Sequence, residues 1–247
     1  MPTAVVALHG FTNTGRSWDG VAAHLDRARP FLAPDLRGHG EASAARPITP
    51  ELCAEDVAAL APDRFALAAY SMGARVALRV ALAHPGRVES LVLIGATPGI
   101  ADPVERAARA EEDAELATRI EASTIEAFAD RWARGPLFKG QAPEVAETAR
   151  ADRLRNAPSG LAAALRGLGQ GACEPLWGRL EELRMPVTLI VGERDAKYRK
   201  VAERMAVSLP RCDLVPVPAT RHAVHLEAPA IVAAAIERAA TLPARAG

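Results

Sequence analysis

Three residues of this chain could together take up a proton or attack a carbonyl carbon: Ser71, Asp195 and His222. In such a set the imidazole accepts the serine proton, while the carboxylate holds the imidazole tautomer and stabilises the imidazolium that forms. Ser71 stands in Phe65-Ala66-Leu67-Ala68-Ala69-Tyr70-Ser71-Met72-Gly73-Ala74-Arg75-Val76-Ala77-Leu78. There an apolar run suited to a buried strand stops at the serine and a helical pattern starts at once. That is the form of a nucleophile elbow, a sharp strand-to-helix turn that lifts the serine Oγ above a sheet edge. Ala69 occupies the place of the motif's first glycine; it and Gly73 are small, as the crowded turn requires. After such an elbow the acid and the histidine follow in chain order, at the ends of later strands. Met185-Pro186-Val187-Thr188-Leu189-Ile190-Val191-Gly192-Glu193-Arg194-Asp195 supplies one such strand and Asp213–His222 the next. Taken singly, the serine reads as a helix cap, the aspartate as a turn former and the histidine as a packed or surface residue. Their shared placement at strand ends, in that order, favours a triad.

Val5-Val6-Ala7-Leu8 reads as a further buried strand, followed directly by His9-Gly10-Phe11. An oxyanion hole of this architecture uses the amide after the nucleophile and one from this early loop, here Met72 and Phe11. Gly10 permits close backbone approach, and His9 reads as structural.

The elements that must position these groups alternate. Strands are expected at 4–8, 31–35, 65–70 and 88–95, with helices at 17–25, 50–61 and 73–84. That rhythm predicts an α/β fold with a mostly parallel sheet covered on both faces. From Thr97 to about Trp177 only helical patterns occur, at Val104–Ile120, Ile125–Arg134, Ala142–Arg155 and Leu161–Leu168. Strand patterns return at Val187 and Leu214, and a helix follows near Ala230–Thr241. The expected organisation is a core of residues 1–96 and 178–247 with a helical cap, 97–177, inserted after the fourth strand and above the site.

With 30 basic and 30 acidic residues among 247, no net field draws the chain to nucleic acid or an anionic membrane. Cys53, Cys173 and Cys212 are few and unpatterned, which argues for reduced thiols and against a disulfide framework or zinc site. No signal-peptide pattern precedes the first strand, and no apolar run is long enough to span a bilayer. A soluble cytoplasmic protein, monomeric or a small homo-oligomer, is the expectation.

Several segments resemble the α/β-hydrolase-fold enzymes called 2-succinyl-6-hydroxy-2,4-cyclohexadiene-1-carboxylate synthases, of menaquinone biosynthesis. In the core these are His9-Gly10-Phe11 with Trp18, Asp35-Leu36-Arg37-Gly38-His39-Gly40 and Tyr70–Arg75. In the cap they are Gly95–Ile100, Glu105–Arg109, Phe128–Trp132, Pro136-Leu137-Phe138 and Leu154-Arg155-Asn156, with Gly192–Tyr198 and His222–His225 following. The elbow, the Asp35–Gly40 loop and the triad are common to many hydrolases; the cap motifs and the arginine after the elbow discriminate. The resemblance implies a lyase that removes a proton from 2-succinyl-5-enolpyruvyl-6-hydroxy-3-cyclohexene-1-carboxylate and expels pyruvate, with Ser71 as base and no metal or organic cofactor. By motif match it implies that Arg75, Arg109 and Arg155 bind the small tricarboxylate substrate and that Tyr70 and Trp132 line the site. Guanidinium forks suit carboxylates. Ala74 replaces a glycine often found before the arginine, and Arg221 replaces one before the histidine. The residues by themselves leave open a carboxylesterase or carbon–carbon bond hydrolase with the same triad, or a non-catalytic binder on the same fold.

Overall fold

The apolar runs of the sequence become one sheet. In the computed structural model, which describes residues 2–241, six parallel strands lie in the order β2-β1-β3-β4-β5-β6. β1 (Ala4–Leu8), β3 (Phe65–Tyr70), β4 (Val88–Ile94) and β5 (Val187–Gly192) are buried almost throughout. Alternate side chains serve two cores: Val6, Leu8, Leu67, Leu91 and Leu189 on one face, Val5, Ala7, Ala66, Val92 and Ile190 on the other. The edge strands β2 (Phe31–Leu32) and β6 (Cys212–Val217) are more exposed. β2 is shorter than the 31–35 expected, bracketed by Pro30 and Pro34, which have no N–H for a ladder.

Helices α1 (Asp19–Ala22), α2 (Pro50–Leu60) and α3 (Met72–Ala83) belong to the first half of the sheet. The helix expected over 17–25 is a 3-10 turn, Gly15–Trp18, followed by the single turn of α1. Between β4 and β5 come α4 (Pro103–Glu121), α5 (Ile125–Ala133), α6 (Pro143–Arg153) and α7 (Pro158–Leu168), referred to below as the cap. α8 (Ala196–Ser208), which the periodicity did not single out, joins β5 to β6. The short α9 (Val224–Glu227) and α10 (Pro229–Thr241) close the described chain. Proline opens α2, α4, α6, α7 and α10. Its fixed φ suits the first helical position and its missing N–H is no loss there. Thr49, Asp102 and Thr124 add side-chain caps to α2, α4 and α5.

The cap has its own apolar centre of Ala117, Ile120, Phe128, Leu161, Ala162 and Leu165, against which Phe11 and Trp132 pack. It is thereby continuous with the loop after β1. Among the described residues no helix is long and apolar enough to cross a membrane.

Strand order decides where chemistry can occur. The chain leaves β1 to one side for β2 and returns on the other for β3, so loops after β1 and β3 diverge and open a crevice. Register then lines up the strand ends: Leu8 lies beside Ala69, Tyr70 beside Ile94, Ile94 beside Ile190, and Gly192 beside Val217.

Candidate active site

Ser71 follows the last residue of β3 with φ 52° and ψ −106°, a left-handed conformation that costs a non-glycine residue about 1–3 kcal/mol. The surroundings hold it there. Ser71 N donates to Ile94 O at 2.9 Å, and Ala74 N donates to Ser71 O at 3.1 Å. Gly73 brings α3 against β1 so closely that a Cβ there would lie 2.5 Å from His9 O. Ala69 and Ala74 are fully buried, so the methyl groups standing where glycine is usual are accommodated.

Ser71 Oγ donates to His222 Nε2 at 3.0 Å, and His222 Nδ1 donates to Asp195 Oδ2 at 2.7 Å. The carboxylate sets the tautomer, leaving Nε2 free to accept the serine proton. Asp195 also caps α8, its Oδ1 accepting from Tyr198 N at 3.3 Å. Below the imidazole lies Gly95, with φ +54°; a Cβ there would stand 2.7 Å from His222 Cε1. The Tyr198 ring packs on His222 at 4.3 Å and the Tyr70 ring at 5.2 Å.

The other buried imidazoles have different surroundings. His9 donates from Nδ1 to Gly10 O and accepts Leu36 N at Nε2, both at 2.9 Å, and so pins the loop after β1. His225 lies between Trp18 and Tyr70, 4.2 Å from the tyrosine ring. Burial, then the charges of His222 and His9, lower its pKa to about 3. Burial also raises the Tyr70 hydroxyl well above its ordinary pKa, keeping it a neutral donor.

Cationic groups act on each of the two tyrosines whose rings pack on His222. Arg75 is buried, Nη2 donating to Leu168 O at 2.5 Å while Nε has no partner. Arg109 pairs with the buried Asp113 at 2.7 Å. Both guanidinium groups act on the hydroxyl of Tyr198, which accepts from Gln170 at 3.0 Å. Arg153, 2% exposed, is a residue not singled out in the sequence. Its Nε donates to Thr12 Oγ1 at 3.3 Å, its guanidinium lies 5.8 Å from the Phe138 ring centre, and Nη1 has no partner. Its charge acts on the Tyr70 hydroxyl, and burial lowers its own pKa. Among the described residues neither Arg75 nor Arg153 forms an ion pair with a carboxylate.

Arg155 lies elsewhere. It is exposed and lines an outer groove with Arg16, Asp35 and Glu41, a groove that contains no member of the triad. α6 ends at Arg153, and residues two apart on a helical turn do not share a face. A signal for Arg153 existed: Ala149 is the buried apolar residue of α6, and Asp152 and Arg153, three and four residues on, share its face and are buried too. Trp132 stands edge-on to Phe11 at 5.4 Å, with its indole N–H buried and unpartnered. Phe11 makes no backbone hydrogen bond among the described residues through its N–H, and Met72 is the first residue of α3, where amides have no acceptor within the helix. Arg221 turns towards the cap: its Nη2 lies 3.0 Å from where a Cβ of Gly140 would be. Its backbone N–H donates to Glu227 at 2.9 Å, and Glu227 also accepts from Gln141 at 3.2 Å.

A strained serine, a carboxylate and an imidazole on the loops after β3, β5 and β6 of a parallel sheet define an enzyme class. The family model described as "Alpha/beta hydrolase family" matches residues 5–235, and the chain belongs to that family. Within it, the chain is 37% identical over 236 residues to a Bacillus subtilis (strain 168) protein provisionally named 2-succinyl-6-hydroxy-2,4-cyclohexadiene-1-carboxylate synthase, covering 92% of this chain and 86% of that one. An Enterobacter (strain 638) protein of the same name, without the proviso, is 30% identical over 94% of this chain and 89% of its own. The chain is thus a member of the 2-succinyl-6-hydroxy-2,4-cyclohexadiene-1-carboxylate synthase family. Among solved structures, MenH from S. aureus superposes with a TM-score of 0.88 at 28% identity over 96% of this chain and 92% of that one. A thermophilic esterase from Thermogutta terrifontis, malate bound, gives 0.84 at 27% over 96% and 88%.

Proposed function

We propose that the chain eliminates pyruvate from 2-succinyl-5-enolpyruvyl-6-hydroxy-3-cyclohexene-1-carboxylate in the cytoplasm. One observation carries the substrate class: Arg75 and Arg153 are buried near Tyr198 and Tyr70, whose rings pack on His222, each without a carboxylate and each with an unsatisfied N–H. A buried charge left unpaired costs several kcal/mol. A polyanionic ligand would supply the missing partners, and an uncharged ester would not.

In the proposed reaction, His222 draws the Ser71 proton, and Ser71 Oγ removes the proton beside the succinyl carbonyl. Negative charge builds on that carbonyl oxygen, where the Phe11 and Met72 amides donate; such a donor is worth about 3 kcal/mol. The electron pair then forms a double bond to the neighbouring ring carbon, the existing ring double bond shifts one bond along to the carbon bearing the enolpyruvyl group, and that carbon–oxygen bond breaks; the departing enolpyruvate takes a proton to become pyruvate. Arg75 and Arg153, with Arg109 beside Asp113, would hold the carboxylates. Tyr70 would remain a neutral donor, and Trp132 with Phe11 would form the apolar wall under the cap of residues 97–177. Every step uses side chains or amides of this chain.

The esterase neighbour favours one second reading, hydrolysis with Ser71 as nucleophile. The test is pyruvate release from freshly made substrate, run beside a p-nitrophenyl ester series, with Ser71→Ala as control for unaided decay. Serine-dependent pyruvate release with feeble ester cleavage is the expected result. Efficient ester cleavage without faster pyruvate release would establish the hydrolase instead.

A further inference from the structure

The last turn of α6 and the residues just after it grip the loop that carries the Phe11 amide. Asp152, 6% exposed, accepts at Oδ2 from Asn13 Nδ2 and from Thr14 N, each at 3.0 Å, and at Oδ1 from Thr14 Oγ1. Asn156 donates to Thr12 O at 3.0 Å and accepts from Gly40 N at 3.0 Å. Between them, Arg153 reaches Thr12 Oγ1. The gripped loop is itself unusual. Thr12 is β-branched and has φ +70°, a conformation such residues rarely adopt. The turn is closed by a single bond, Asn13 N to Gly10 O at 3.1 Å. Strain of this kind persists only where surrounding contacts over-determine it, and here those contacts come from more than 130 residues away in the chain.

We propose that Asp152, seconded by Asn156, is a positioning residue for the reaction: it fixes the loop after β1 so that the Phe11 amide points at the developing oxyanion. This rests on the reading of Phe11 as a charge-stabilising donor, and extends it by making the cap part of the oxyanion hole. Asp152 contributes no atom to the substrate. Its three donors all belong to Asn13 and Thr14, so its carboxylate is committed to the loop rather than to its neighbour Arg153. One consequence is that this edge of the cap stays docked through turnover.

The test compares Asp152→Ala, Asp152→Asn and Asn156→Ala with the exposed α6 variant Glu147→Gln. Readouts are pyruvate release, p-nitrophenyl acetate cleavage, the rate at which a fluorophosphonate probe labels Ser71, and thermal melting. Withdrawing an oxyanion donor costs about 100- to 1,000-fold, so partial misplacement in Asp152→Ala should lower kcat about 30- to 100-fold. KM should stay within about threefold, and labelling should slow in proportion to kcat. Asp152→Asn keeps an acceptor for the Asn13 and Thr14 donors and should recover most of the rate; Glu147→Gln should match the parent. A folded Asp152→Ala with unchanged labelling rate, or with its whole loss in KM, would overturn the proposal. Should Asp152→Ala not fold, Asn156→Ala decides by the same split. If the parent releases no pyruvate, the lyase reading fails alone, because ester cleavage and labelling still report the loop.

Discussion

Replacing Arg153 and Arg155 by methionine, one at a time, separates the tertiary arrangement from the motif. Arg153 is 2% exposed with one long hydrogen bond, to Thr12, and an unpartnered Nη1; Arg155 faces outward in the groove with Arg16. A charge-assisted hydrogen bond to a carboxylate is worth about 1.5–3 kcal/mol, which for Arg153→Met is a loss of about 10- to 150-fold in kcat/KM for pyruvate release. Stability should not move in parallel. Burial already disfavours the Arg153 charge, and methionine fills much of the same volume without a desolvation cost, so the melting temperature should hold or rise. Loss of activity without loss of stability distinguishes a ligand-binding cation from a structural one. Arg155→Met should stay within about twofold of the parent on the exposed-surface expectation. Steady-state kinetics and calorimetry on the three proteins suffice. A deficit in Arg155→Met with full activity in Arg153→Met would refute the reasoning, as would an Arg153→Met protein that melts several degrees lower with unaltered kcat/KM.

Gly95→Ala should lower kcat about 100-fold or more, because the new methyl would stand 2.7 Å from His222 Cε1 and push the imidazole off the Ser71–Asp195 line; unchanged kinetics would mean the ring position is not critical. Acid stability should carry the mark of His225. Its pKa is about 3 when folded and close to 6.5 when unfolded. The unfolded chain therefore binds the extra proton, and stability present above pH 6.5 is lost as pH falls towards 3. The loss at pH 5 is about 2 kcal/mol. Denaturant midpoints of the parent and His225→Phe between pH 7 and 5 measure it, and equal slopes for both proteins would contradict it.

Much of this protein is legible without coordinates because the signals are local. Continuous apolar runs mark β1, β3, β4 and β5. The small residues around Ser71 announce a crowded turn, and chain order points to Asp195 and His222. Element type depends on neighbours within a few residues, and those are written in the sequence. The length of β2 escaped because it depends on what pairs with an edge strand. The arginines show the larger limit. Arg153 and Arg155 are two residues apart at a helix end, and which of them is buried against Thr12 depends on where α6 stops and how it is rotated against the loop after β1. That rotation is set by Asp152 and Asn156 meeting residues 12–14 and 40 across the fold. Long-range hydrogen bonds of this kind carry no periodicity. The serine, carboxylate and imidazole were therefore readable from residue types and order, whereas which arginines are buried and which face outward was decided only when the cap packed on the sheet.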